Sequence, residues 1–326
     1  MKIGKLDSNL LEEIVFKHIK YKREEVLVRP GIGKDCAIVD YGEDVCVLST
    51  DPITGAASEV GKLAIHVSCN DIASEGVEPL GIMLTVMVPE STTEEEIEFI
   101  MKQAADEAEK LHVEIIGGHT EVTHAVNKPV IVSTAIGKGK KDAYTSQKEV
   151  QVGDSIILTK YAGLEGTGII AYDYEEELKA KVSMDVIDNA KSFLEEISVV
   201  EEGLIGGRLG ATSMHDVTEG GILGAVWETC QSSKLGARIR VDAIPVKEET
   251  LKICDVYGID YLRLISSGCM LMTISADKKD NLLKQLKAKG ILATAIGVMT
   301  EKDVIMVKDG KDFSIDPPDK DELYKV

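Results

Sequence analysis

Four short segments of this chain place an aspartate beside glycine, serine or threonine at the edge of an apolar run. They are GIGKDCAIVD around Asp35, LSTDPITG around Asp51, HVSCNDIASEG around Asp71 and MHDVTEGG around Asp216. An unpaired buried carboxylate is costly, so an acid in such a place needs a partner. Converging carboxylates also raise one another's pKa unless a cation neutralises them. The pattern favours a metal site held by these four aspartates.

Asp71 gives the strongest single argument for such a site. Val60, Ala64 and Val67 mark the apolar face of a predicted helix, and Asp71 is the next position on that stripe. Taken alone, Asp71 could instead pair with a buried lysine, and Asp51 could simply begin an Asp-Pro turn. Oxygen ligands without a His or Cys cluster favour Mg²⁺, which usually completes its shell with water and substrate phosphates. This chemistry predicts ATP, in a site unlike a Walker loop because GxxxxGK[ST] is absent.

Glycine-rich and polar turns supply candidate contacts for the nucleotide. Exposed amides at the start of a helix suit phosphate, which favours Gly220 and Gly221 with Thr218 as the predicted N-cap. YAGLEGTG either wraps phosphates or forms an ordinary turn from strand to helix. The predicted nucleotide contacts are Gly31, Gly33, Thr50, Asn70, Gly117, Gly118, Thr120, Gly163, Gly166, Thr167, Gly220 and Gly221. A polar turn predicted after Gly117 and Gly118, at the end of the strand VEIIGGHTEV, adds His119 and Glu121 as candidate catalytic residues.

These segments need a frame of alternating strands and helices. CAIVD, VCVLST, LGIMLTVMV, VEIIGGHTEV and PVIVSTAIG read as strands, with Pro52 ending the second. One helix is expected from about Glu59, and a second is capped by Ser91 or Thr92. SIILT and GCMLMTI are strands of the second half, which closes with a hairpin at Asp309 and Gly310. The alternation predicts an α/β fold with mixed sheets, in two domains of residues 1–150 and 151–326.

Composition limits the partners and the compartment. A length of 326 residues with 44% hydrophobic content allows a large core, and a net charge of −19 argues against nucleic acid and anionic membranes. No apolar run approaches the roughly 20 residues that span a bilayer, and the first ten residues lack a signal-peptide core. A cytoplasmic protein is therefore expected. The six cysteines form no CxxC pair and are expected to be reduced and mostly buried.

In this order the segments resemble the aminoimidazole ribonucleotide synthetase superfamily, and within it the HypE-like chains. The resemblance is carried by GIGKDCA, STDPITG, GKLAIHVSCNDIASEGVEP, GGHTEV, MHDVTEGGILGAVWE and LKICDVYGIDYLRLISSGCMLMTI, and it covers most of the chain. It implies two domains, the first forming a homodimer through its sheet, with ATP and magnesium between the domains at the four aspartates. It also implies activation of an oxygen as a phosphate ester, on a small-molecule or protein amide or carboxyl acceptor. Hydrogenase maturation proteins are candidate partners.

The chain departs from the HypE-like pattern at three places. The family's GDTKV-like turn is GHTEV here, with His119 at the acidic and Glu121 at the lysine position. Ser267 replaces the acid of an NEGK-like segment, and the sequence ends DPPDKDELYKV where HypE-like chains carry a cysteine. Three functions therefore stay open: phosphoryl transfer to an unidentified acceptor, a hydrogenase maturation role through another thiol such as Cys269 or Cys230, and a non-catalytic nucleotide-binding assembly factor.

Overall fold

Two mixed sheets, one from each half of the chain, carry the site. The computed structural model describes residues 6, 10–56, 58–318 and 320–326. Mixed sheets with helices against them confirm the predicted α/β class. The first sheet ends at Lys140 and the second begins at Ser155, so the predicted boundary near residue 150 falls in the connecting segment.

The described part of the first half of the chain forms a six-stranded sheet and two α-helices. The strands are β1 (Val26–Val28), β2 (Ala37–Tyr41), β3 (Asp44–Ile53), β4 (Glu78–Val88), β5 (Glu114–Val122) and β6 (Val130–Lys140), and the helices are α1 (Val60–Ser74) and α2 (Glu94–Lys110). The strand order is β1-β2-β3-β6-β4-β5, in which only β4 and β5 pair in parallel. This arrangement leaves β5 as an edge strand.

The second sheet has seven strands in the order β13-β12-β9-β11-β7-β10-β8. They are β7 (Ser155–Thr159), β8 (Ser213–Asp216), β9 (Gly236–Arg240), β10 (Met270–Ile274), β11 (Ala293–Thr300), β12 (Val304–Lys308) and β13 (Lys311–Ser314). The helices are α3 (Leu164–Asp173), α4 (Glu175–Leu178), α5 (Met184–Ser192), α6 (Val200–Leu209), α7 (Gly221–Ser233), α8 (Glu248–Tyr257) and α9 (Lys279–Ala288). Single 3₁₀ or π turns cover Leu11–Val15, Phe16–His18, Thr145–Gln147, Phe193–Glu195, Val241–Ala243 and Glu322–Lys325.

Helix α1 joins the two halves. It packs against β3 and β6 on the first sheet and against α6 of the second half. A Cβ at Gly203 of α6 would lie 2.1 Å from the carbonyl oxygen of Ala73, so glycine is required where the two helices meet. Ile72 of α1 and Leu164 of α3 belong to the same apolar cluster. Asp71 is therefore held at the junction of the halves.

Pro52 does not end its strand, contrary to the prediction. β3 continues to Ile53, paired with Ile131 of β6, whereas its pairing with β2 stops at Leu48. A residue without an N–H is tolerated there because one side of β3 has no partner strand.

The cap of α2 was predicted one or two residues too early. The Glu96 N–H donates to Thr93 Oγ1 at 3.2 Å, and the Thr93 N–H donates to Glu96 Oε2 at 2.7 Å. This reciprocal pair is a capping box centred on Thr93, which leaves Ser91 and Thr92 outside the helix.

The strand predicted over VEIIGGHTEV is confirmed as β5, whereas the polar turn predicted after Gly117 and Gly118 is wrong. His119 lies within β5, opposite Thr85 of β4. A Cβ at Gly118 would lie 1.9 Å from the carbonyl oxygen of Leu84, so this glycine permits close strand pairing. The predicted hairpin at Asp309 and Gly310 is confirmed, because both residues have the positive φ, 51° and 71°, that a two-residue hairpin turn requires.

Candidate functional site

The structure brings the four predicted aspartates together. Asp35 precedes β2, Asp51 lies near the end of β3, Asp71 faces inward from α1, and Asp216 is the last residue of β8. Ser49 Oγ donates one hydrogen bond to Asp71 Oδ2 and lies 3.2 Å from Asp51 Oδ2. Burial, followed by the negative charge of Asp216, raises the pKa of Asp71 well above its usual value. Both halves therefore contribute to one carboxylate cluster.

Asp216 is the least satisfied member of this cluster. It is 1% exposed, neither carboxylate oxygen makes a well-aligned hydrogen bond with a described residue, and His215 Nδ1 lies 3.9 Å from its Oδ1. Burial, and next the charge of Asp35, raise its pKa to about 7. Buried carboxylate oxygens in such a state are suited to a cation.

His215 provides a positive charge beside the cluster. Its Nδ1 lies 3.0 Å from Asp35 Oδ2 and its Nε2 lies 2.7 Å from Glu228 Oε2. Burial would lower the pKa of His215, but the charge of Asp35 and the hydrogen bonds to Asp35 and Glu228 raise it well above its usual value. Sequence reasoning missed this residue, although its position beside Asp216 was a usable signal.

The donor set fits magnesium. Ligand atoms of Asp35, His215 and Asp216 all lie within 4.8 Å of one another. Both ring nitrogens of His215 face carboxylates, so the imidazole acts there as a charged donor, which leaves carboxylate oxygens as the available ligands. Oxygen-only ligation is typical of Mg²⁺.

A cavity of about 590 Å³ lies beside the aspartate cluster and is lined by residues from both halves of the chain. Its polar wall includes Thr50, Asp51, Asp71, Glu165, Thr218, Ser267 and Asp321, and its apolar wall includes Ile53, Leu63, Val67, Ile169, Ile265 and Leu323. Of the predicted nucleotide contacts, only Thr50 is in this wall. A cleft with one apolar and one polar side is typical of a small-molecule site.

The amides at the start of α7 already have partners in the chain. The helix begins at Gly221 and not near Thr218, and the Gly220 N–H donates to Asp321 Oδ2 at 2.7 Å. The Gly221 N–H donates to the Thr218 carbonyl oxygen at 3.1 Å. The N–H groups of Gly220 and Gly221 thus have hydrogen-bond partners within the chain, and their phosphate contacts stay a prediction.

YAGLEGTG leads into the first turns of α3, and its glycines pack closely against other parts of the chain. The Gly163 N–H donates to Ser266 Oγ at 2.7 Å, and a Cβ at Gly166 would lie 2.5 Å from Leu264 Cγ. Thr167 is fully buried, and its hydroxyl donates to Thr250 Oγ1 at 3.1 Å. The side chain that this turn contributes to the cavity is Glu165, which sequence reasoning missed because the glycines were the more obvious pattern.

Three further predicted contacts lie outside the cavity wall. Asn70 is fully buried, with Nδ2 donating to the Ile197 carbonyl oxygen at 2.9 Å and Oδ1 accepting from the Val199 N–H at 2.8 Å. The Asn70 side chain therefore joins the two halves of the chain.

The two glycines before Asp35 also lie outside this wall. The Gly31 carbonyl oxygen accepts a turn hydrogen bond from the Lys34 N–H, and Gly33 lines a second cavity of about 360 Å³.

The β5 candidates lie on an exposed edge strand. His119 Nε2 and Glu121 Oε2 are 3.1 Å apart, and both side chains are largely exposed. Their cross-strand partners are Thr85 and Met87 of β4. His119 and Glu121, together with Gly117, Gly118 and Thr120, are not among the residues that line the cavity beside the aspartates.

The thiols predicted as alternative acceptors are buried. Cys269 and Cys230 are 0% and 1% exposed, and burial raises the pKa of each to about 12. Cys269 Sγ donates to the Tyr161 carbonyl oxygen at 2.8 Å. A buried thiol in this state is a poor nucleophile, so the structure does not favour either residue as a group acceptor.

We expect magnesium to stabilise the protein more at pH 8 than at pH 5.5. The pKa of Asp71 and that of Asp216, about 7 for the latter, are raised in the folded state, so the metal-free fold binds protons more tightly than the unfolded chain. The contribution of these two carboxyl groups to stability is then present at low pH and is lost as the pH rises through about 7. Thermal unfolding with Mg²⁺, against sodium chloride of equal ionic strength, measures this. Equal magnesium shifts at both pH values would contradict it.

Known protein families and individual proteins match both halves of this chain. Family descriptions of the AIR synthase related protein match residues 33–138 for the N-terminal domain and 151–309 for the C-terminal domain. A candidate hydrogenase expression/formation protein of Methanocaldococcus jannaschii is 28% identical, covering 92% of this chain and 89% of the relative. Among the described residues, no helix combines the length and apolarity needed to cross a membrane.

Two solved structures share the fold. The HypE–HypF complex contains a chain with a TM-score of 0.78 and 23% identity, covering 95% of this chain and 99% of the other. The hydrogenase maturation protein HypE in complex with ATP has a TM-score of 0.73 and 18% identity, covering 98% and 97%. The two-domain arrangement predicted for the fold is confirmed by these likenesses.

Proposed function

Because this chain belongs to the AIR synthase related family, we propose that it binds ATP with Mg²⁺ at the aspartate cluster and transfers a phosphoryl group to an oxygen of an acceptor. The observation that carries this proposal is the unsatisfied carboxylate of Asp216, buried beside Asp35 and Asp71. The ATP complex of a HypE with the same fold supports the choice of nucleotide.

In this function, Asp35, Asp51, Asp71 and Asp216 hold the magnesium ion. Bound magnesium supplies charge neutralisation for the phosphate oxygens and makes the terminal phosphorus more electrophilic. Ser49 orients the carboxylates of Asp51 and Asp71, and His215 holds Asp35. The apolar wall of the cavity suits the base and ribose of a nucleotide, while it limits water near the phosphates.

Calorimetry of the whole chain tests this function. We expect ATP to bind once per chain in the presence of Mg²⁺ and not in excess EDTA. Sustained phosphate release would support the enzyme, whereas binding without any turnover would support the non-catalytic assembly factor. Failure of ATP to bind in the presence of magnesium would contradict both.

We also propose hydrogenase maturation proteins as partners and an amide or carboxyl group as the acceptor. The similarity to the hydrogenase expression/formation protein of Methanocaldococcus jannaschii and the HypE–HypF complex support the choice of partner. Co-purification with a maturation protein from the same source tests the partner, and release of ADP and not AMP tests transfer of the terminal phosphoryl group.

Two copies of the chain are expected to pair through the exposed face of β4 and β5. Met83 and Ile116 are 40% and 49% exposed there, and exposed apolar side chains that share a sheet face are candidates for an interface. His119 and Glu121 lie beside this face and would be at the contact. Met83→Lys is expected to halve the mass measured by light scattering, because a buried lysine is costly. Phe99→Lys, on the exposed side of α2, is the matched control, and equal masses for all three proteins would contradict the pairing.

A further inference from the structure

The carboxyl group of Glu165 lies in the cavity wall and has no role in the function described so far. It lies in the first turn of α3 and is 4% exposed, yet its Oε2 makes no hydrogen bond with any described residue. Ser267 is 1% exposed, and its Oγ lies beside the Glu165 carboxyl without a well-aligned hydrogen bond to any described residue. Both side chains line the same cavity as Asp51 and Asp71. Unsatisfied buried groups that share a cavity are candidates for contact with a ligand.

The backbone holds these two side chains in place. The Gly166 N–H donates to the Ile265 carbonyl oxygen at 3.0 Å, and the Gly163 N–H donates to Ser266 Oγ at 2.7 Å. These bonds connect the first turn of α3 to the segment that contains Ser267. Glu165 and Ser267 are thus positioned by contacts of neighbouring residues, which leaves Glu165 Oε2 and Ser267 Oγ available to a ligand.

The surroundings tune the acidity of this carboxyl group. Burial raises the pKa of Glu165 to about 7, the hydroxyl and N–H of Ser267 partly offset that effect because they favour the charged carboxylate, and the charges of Asp321 and Glu219 add to it. Asp321 accepts backbone hydrogen bonds from Gly220 and Leu323, and Tyr324 donates to Glu219. Of these three acids, Glu165 is the one with an unsatisfied oxygen among the described residues. A group of this acidity both takes and returns a proton near neutral pH.

We propose that Glu165 is the catalytic base, accepting the proton of an acceptor that carries an O–H or N–H group, with Ser267 donating a hydrogen bond to the same acceptor. This assignment rests on the proposed function. As an acceptor oxygen bonds to the terminal phosphorus of ATP, the bond from that phosphorus to the ADP oxygen breaks. The acceptor's proton passes to Glu165 Oε2, and ADP leaves with the electron pair of the broken bond.

Phosphate release from ATP, with water as the acceptor, tests this assignment between pH 5.5 and 8.5. Glu165→Gln is expected to lower turnover by about 10²- to 10⁴-fold, as loss of a general base does, while calorimetric ATP affinity stays within about 2-fold of the wild type. The rise of activity near pH 7 should disappear with it. Adding Ser267→Asp to Glu165→Gln should recover part of the turnover, because it returns a carboxylate to the same place.

Glu107→Gln is the matched control. Glu107 is also a buried glutamate, but it pairs with His66 and Lys110 away from the cavity. Wild-type turnover and pH profile in Glu165→Gln, or ATP binding without phosphate release in the wild type, would overturn the assignment of Glu165. Absence of magnesium-dependent ATP binding in the wild type would instead overturn the proposed function.

Discussion

Asp71→Asn is expected to remove magnesium-dependent ATP binding and, at the same time, to stabilise the metal-free protein. The amide cannot replace an anionic magnesium ligand, so we expect affinity to fall at least about 100-fold. The same change removes a buried charge next to Asp216, which should raise the free energy of unfolding at pH 8 by roughly 1–3 kcal/mol. Ser49 can still donate to the amide oxygen, so the local hydrogen bond is kept. Calorimetry and urea unfolding measure the two effects.

A lower ATP affinity together with a higher free energy of unfolding distinguishes a metal site from a structural ion pair. Loss of a paired structural aspartate would lower stability. Asp188→Asn, an exposed position on α5, should change neither quantity and serves as the matched control. Unchanged ATP affinity in Asp71→Asn, or a less stable metal-free protein at pH 8, would contradict the role given to Asp71.

Asn70→Ala, one residue earlier in the helix, is expected to lower stability while ATP affinity stays nearly unchanged, the reverse of Asp71→Asn. It removes the hydrogen bonds to the Ile197 carbonyl oxygen and from the Val199 N–H, and leaves both buried groups unpaired. We expect a loss of about 2–4 kcal/mol in the free energy of unfolding. ATP affinity, measured at a temperature where the variant is folded, should stay within about 3-fold of the wild type because Asn70 lies outside the cavity wall.

Asn127→Ala controls for the loss of an asparagine side chain. Asn127 is exposed, so its removal should change stability by less than about 0.5 kcal/mol. Wild-type stability together with lost ATP binding in Asn70→Ala would return Asn70 to the nucleotide site that the sequence indicated.

Elements with a local cause were predictable from the sequence. The Asp309–Gly310 hairpin depends on two residues that tolerate positive φ, and the apolar strands on their own side-chain patterns. Sheet order was not predictable, because pairing β3 with β6 depends on contacts between segments about 80 residues apart in sequence. The turn predicted after Gly117 and Gly118 was wrong for the same reason. Gly118 is required by Leu84 of a different strand.

The residues of the candidate site likewise fall into two groups: those predictable from their own segment and those that depend on distant segments. Asp71 was predictable because a charge on an apolar helix face is anomalous within its own segment. His215 and Glu165 depend on neighbours that come from other segments: Asp35 for His215, and Ser267 for Glu165. The glycines of YAGLEGTG suggested phosphate, but their small size serves packing against Leu264 and Thr250.

A crystal grown with Mn²⁺ and a non-hydrolysable ATP analogue tests most directly whether the aspartates of both halves form one magnesium and phosphate site. Manganese replaces magnesium on oxygen ligands and is located by its anomalous scattering. We predict a peak within about 2.5 Å of carboxylate oxygens of Asp71 and Asp216, with the terminal phosphate of the analogue bound to the same ion. A peak that contacts neither aspartate, or an analogue bound without metal at this cluster, would contradict the account.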